Sequence, residues 1–167
     1  HTSLLGVPEN YHDVVSRIFE EIENGAGYLV EGQDIGYLTI DEQFLNKGEF
    51  LRRPGLHVDG GSWGGGGSWG RSGLIMASTS PNCFVCENKD FTVGEENEVT
   101  IRGEKVGFVA SPNKLYWLDP SQPHETTAQQ ENGVRQFIRY SLPNSGHWYE
   151  GYTPNPEGIK PSGRILP

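Results

Sequence analysis

The hydrophobic pattern of the chain changes period once, near Gly25. Before it, Val14, Ile18 and Ile22 recur every four residues, with Val15 and Phe19 beside them. That spacing draws one apolar stripe along a helix over Glu9–Asn24 and leaves Asp13, Arg17, Glu20, Glu21 and Glu23 on the wet face. Pro8 suits the start of such a helix, and Asn24-Gly25 its stop. A single stripe predicts a helix packed on a sheet.

Beyond Gly25 the period falls to two. Tyr28–Val30, Ile35–Ile40, Leu74–Ala77, Val99–Arg102, Val106–Ala110, Lys114–Leu118 and Val134–Leu142 read as short strands. Arg102-Gly103-Glu104 and Glu131-Asn132-Gly133 have tight-turn chemistry. One helix followed by many short strands predicts a mainly β fold, a sandwich or open barrel. At 167 residues the chain is expected to form one domain, with a core over about 28–142 and a proline-rich strap over 143–167. Residues 60–73 stand apart as a near-repeat of Gly-Gly-Ser-Trp-Gly. Such a glycine-dense run reads as a loop over a site, or else as an exposed spacer.

Charge narrows the partners. There are 22 acidic and 13 basic residues, a net charge of -9. An acidic surface disfavours duplex nucleic acid and anionic membranes, which both call for basic patches. There is no apolar run long enough to span a bilayer. Two cysteines, Cys83 and Cys86, are too few for a disulfide framework, so a cytoplasmic location is the default expectation. They read as buried or incidental thiols in preference to a metal or redox pair. The chain opens on His1, which leaves processing, a tag or excision from a longer protein open. An N-terminal histidine can chelate copper, with His12 or His147 supplying a second ring, but the sequence downstream does not resemble copper monooxygenases of that kind.

The candidate chemistry sits in three places. In His57-Val58-Asp59, residues i and i+2 of an extended strand point to the same face, so imidazole and carboxylate project together. His124 follows Pro123 at the end of a proline-rich turn, where a new strand begins. In Val134–Leu142, Arg135, Phe137, Arg139 and Ser141 share one strand face, and Gln136, Ile138 and Tyr140 share the other. Two arginines on one face of an apolar strand suit a carboxylate held by a bidentate clamp. A hairpin folded at Glu131-Asn132 would set His124 opposite Arg139.

Taken in order, His57-Val58-Asp59, then His124, then Arg139-Tyr140-Ser141 resemble the iron(II)/2-oxoglutarate-dependent oxygenase superfamily. The resemblance covers about residues 28–142. It implies a double-stranded β-helix, or jelly roll, and iron(II) held by His57, Asp59 and His124. It further implies 2-oxoglutarate clamped by Arg139 with Ser141, and a hydroxylase acting on a small-molecule or peptide substrate. Arg139 lies 15 residues past His124 and Arg135 lies 11 past it. The second spacing is closer to the family's habit, so either arginine is a candidate clamp. The competing expectation is a non-catalytic jelly-roll module, structural or carbohydrate-binding, that uses Trp63, Trp69, Trp117 and Trp148 for stacking.

Overall fold

The computed structural model describes residues 4–25, 36–59, 73–81, 83–141, 147–151, 153–159 and 164–166. Pro8 leads into a 3-10 turn, Glu9–Tyr11, that runs straight into helix α1, His12–Gly25. The helix forms where the stripe predicts it. Tyr11, Val15 and Ile18 are buried along one face, and Val14, Phe19 and Ile22 are partly buried beside them. That face packs on Ile75 and Ile138 of the sheet below.

The sheet is four-stranded and antiparallel. Its strands are β1 (Tyr37–Leu45), β2 (Leu74–Ser78), β7 (Tyr116–Leu118) and β9 (Gly133–Ser141), in the order β1-β9-β2-β7. A second, three-stranded antiparallel sheet contains β3 (Cys83–Cys86), β6 (Gly107–Val109) and β8 (His124–Thr126), in the order β6-β3-β8. Strands β4 (Phe91–Val93) and β5 (Val99–Ile101) make a separate antiparallel pair. Strands β10 (His147–Tyr149) and β11 (Arg164–Leu166) pair in parallel. Among the described residues these sheets do not close into a barrel. The fold is mainly β with one N-terminal helix.

Both larger sheets contribute to one core. Leu74, Met76, Leu118 and Phe137 of the first meet Cys83 and Val85 of the second, with Ala110. The layers therefore run helix, sheet, core, sheet. Strand β9 is central, flanked along its length by β1 and over Phe137–Ser141 by β2. Its alternation follows the sequence reading. Ile138 and Tyr140 face the helix, whereas Arg135, Phe137, Arg139 and Ser141 are buried on the side of the second sheet.

Two expectations about strands are corrected. Strand β1 runs on to Leu45, through Asp41-Glu42-Gln43, where the sequence reading stops at Ile40. An edge strand needs only backbone pairing on one side, so polar side chains do not end it. Here Glu42 accepts hydrogen bonds from Tyr11 (2.8 Å) and Gln136 (2.6 Å). The expected hairpin at Glu131-Asn132 is absent. His124 pairs with Val85, and Arg139 pairs with Thr39 and Met76, so the two are not opposite each other. The connector between β8 and β9 instead docks on the turn after β1. The backbone of Gln129 exchanges hydrogen bonds with Gly48 and Glu49, and Asn132 accepts from the backbone N–H of Lys47. The expected strand at 28–30 and the glycine-tryptophan run at 60–72 lie outside the described residues.

Candidate metal centre

His57, Asp59 and His124 converge. Their ligand atoms all lie within 4.8 Å of one another. The link between the histidines is a backbone ladder. The N–H of His57 donates to the carbonyl of His124 (3.0 Å), and the N–H of His124 returns the bond (2.9 Å). This reciprocal pair sets the two rings side by side, with centroids 4.7 Å apart and planes tilted by 54°. The segment carrying His57 is not a regular strand. It is an extended stretch held by single bridges to His124 and Glu98. The i, i+2 expectation survives that difference: the Nε2 of His57 lies 3.6 Å from Oδ1 of Asp59, so the two side chains project into one space.

Each ring is oriented in the same way. The Nδ1 of His57 bonds the carbonyl of Gly55 (2.7 Å), and the Nδ1 of His124 bonds the carbonyl of Gln122 (2.9 Å). A carbonyl only accepts, so Nδ1 carries the proton and Nε2 keeps its lone pair. Gly55 has φ +89, a conformation in which only glycine is unstrained. The two Nε2 atoms stand 3.6 Å (His57) and 3.7 Å (His124) from the oxygens of Asp59. Those separations are too long for hydrogen bonds. They leave room for an ion between each ring and the carboxylate.

The electrostatics follow from this packing. Burial opposes charge on Asp59, but His124, Arg139 and His57 outweigh it and hold the carboxyl well below the usual range. Burial also opposes charge on His124, yet the neighbouring Asp59 raises its pKa. His57 moves the other way, lowered by burial and by the charge of His124. A neutral imidazole pair with an ionised carboxylate is a donor set for a divalent transition metal. These three residues could bind a metal ion.

The group lines a cleft of about 930 Å³ between the two sheets. Arg139 reaches it and donates from Nη1 to Oδ2 of Asp59 at 2.9 Å. Arg135 lines the same cleft at 1% exposure. Its Nε donates to Oγ of Ser78 (3.0 Å), whereas its Nη1 has no hydrogen-bond partner. Among the described residues no carboxylate lies within the 4 Å of a salt bridge to Arg135. Burial lowers its pKa, but a guanidinium remains charged. Ser141 is fully buried and does not line the cleft, contrary to its expected place beside the metal.

The sequence reading misses other residues of the cleft. Arg52 and Arg53 line it just ahead of His57, and a basic pair in an acidic chain is the signal that could have found them. Cys83 also lines it, a free thiol that burial pushes up to about 12. It is therefore neutral at ordinary pH and no competing thiolate. His12 lies on the helix, with its Nε2 against the carbonyl of Val7 (2.9 Å). No family model matches the chain, and a search of curated proteins finds no match. No helix among the described residues is long and apolar enough to cross a membrane.

Proposed function

We propose that the protein is an iron(II)/2-oxoglutarate-dependent oxygenase, a hydroxylase built on a double-stranded β-helix framework. The observation that carries this reading is the pairing of a His57-Asp59-His124 ligand set with a buried arginine that lacks an anion, in one cleft. Two histidines and one carboxylate on one side of an ion leave open positions for co-substrate and dioxygen. Iron(II) bound here would let dioxygen be the oxidant and 2-oxoglutarate the co-reductant, with one oxygen atom entering a C–H bond and the other entering succinate as carbon dioxide is released.

The chain's own residues have definite tasks in this reading. The carbonyls of Gly55 and Gln122 fix the rings so that both Nε2 lone pairs face Asp59. Asp59 supplies the one negative charge of the ligand set. Arg135 is the better of the two candidate clamps, because the charge of Arg139 is already met by Asp59. A buried cation without a counter-charge is costly, and a carboxylate of the co-substrate would offset that cost. The 2-oxoglutarate dianion also suits the cleft's four arginines, set against the carboxylates of Glu49 and Asp59.

The test is an anaerobic titration with iron(II) and 2-oxoglutarate. The expected result is a weak visible charge-transfer band that appears only with both, followed by succinate release once oxygen is admitted. Asp59→Ala should abolish both signals. Arg135→Ala should raise the 2-oxoglutarate concentration required and leave iron(II) binding intact. A chain that binds neither iron(II) nor 2-oxoglutarate would be a non-catalytic module.

A further inference from the structure

We propose that Arg139 is a positioning residue for the carboxylate of the metal site, and that it does not anchor the co-substrate. The inference rests on the metal-site reading above and deepens it. The Arg-x-Ser element that resembles a co-substrate clamp in sequence does something else in this fold.

Arg139 lies in the central strand β9, paired with Thr39 on one side and Met76 on the other. Its backbone is therefore held from both edges. Its side chain is 10% exposed and that of Asp59 is 13% exposed. The Nη1–Oδ2 bond of 2.9 Å joins them as a charge-assisted hydrogen bond between largely desolvated groups. Asp59 itself sits at the end of a short bridged segment with no regular strand to hold it. Of the two partners, the arginine belongs to a regular central strand and the carboxylate to a segment outside the regular strands.

The consequence falls on the ligand atoms. Oδ2 accepts from Arg139 and lies 3.7 Å from the Nε2 of His124, and Oδ1 lies 3.6 Å from the Nε2 of His57. The bond to Arg139 holds the carboxylate with one oxygen toward each histidine ring. The arginine thus fixes the rotamer of the carboxylate, while the Gly55 and Gln122 carbonyls fix the two rings. Every ligand then has its own partner in the protein, the arrangement that preorganises a metal site. Arg135 is left as the anion site of the cleft, and Ser141 has no part in it.

The experiment uses Mn(II) alone, read by electron paramagnetic resonance, on the whole chain. Arg139→Gln should weaken Mn(II) binding by about ten- to hundredfold, the usual effect of losing a partner of a metal ligand. It should also change the Mn(II) spectrum. Arg139→Lys keeps the charge and one donor, so it should recover part of the affinity. 2-Oxoglutarate affinity, measured at saturating Mn(II), should be unchanged in both variants. If Arg139→Gln does not fold, Arg139→Lys carries the comparison. Unchanged or tighter Mn(II) binding, or a loss confined to 2-oxoglutarate, overturns the assignment. Wild-type protein that binds Mn(II) but no 2-oxoglutarate sinks the oxygenase reading alone, and the Mn(II) comparison still decides this one. Wild-type protein that binds no Mn(II) overturns both.

Discussion

At the scale of single residues, the site is governed by where protons and lone pairs sit. The ring of His124 shares its Nε2 side with Asp59 and has a raised pKa in the metal-free chain. A metal must displace that proton. Mn(II) affinity should therefore fall as pH drops from 8 to 6, which a titration series at fixed ionic strength would measure. The stability contribution has the opposite sign. A raised histidine stabilises the metal-free fold below its unfolded value of about 6.5, and that part fades as pH rises through the folded value. His124→Gln should remove both effects. The grouping of His57, Asp59 and His124 as a possible metal-binding set was legible because side-chain alternation and a proline-fixed turn are local properties. The partner of Arg139 was not legible, since Asp59 lies 80 positions away.

At the scale of elements, α1 and the cleft use opposite faces of the same strand. Ile18 is fully buried against the sheet, in a cluster with Ile75 and Ile138. Ile18→Ala should cost about 2–5 kcal/mol, seen as a lower urea midpoint. Mn(II) affinity of the folded variant should not change, because Arg139 points away from the helix. A coupled loss of affinity would mean that the helix sets the position of β9. The helix was legible because its apolar spacing is a property of contiguous residues. Strand β3 was not read as a strand. Cys83-Phe84-Val85-Cys86 is short, and it is buried at Cys83, Val85 and Cys86, so it lacks a clean alternation.

At the scale of the whole molecule, the site joins parts that would otherwise be separate. His124 comes from the second sheet, Arg139 from the first, and Asp59 from a segment bridged to neither by a full strand. An ion bound here ties both sheets together. Mn(II) at about 100 times its dissociation constant should add roughly 2.7 kcal/mol of stability. A thermal scan should show a higher midpoint with Mn(II), reversed by a chelator and absent in Asp59→Ala. The acidic exterior and the four arginines of the cleft concentrate positive charge where an anionic co-substrate would lie.

The sequence by itself determined the period of each element, the face on which each side chain projects, and the identity of the three metal-binding candidates. Each of these depends on a few neighbouring residues. Only the tertiary structure decided which strands lie side by side. Pairing β9 with β1 and β2, and the His57 segment with His124, is a choice among distant backbones with similar hydrogen-bonding capacity. That choice set Arg139 against Asp59 and Arg135 against Ser78, left Ser141 off the lining of the cleft, and joined His57 to His124 through a backbone pair that no local pattern encodes.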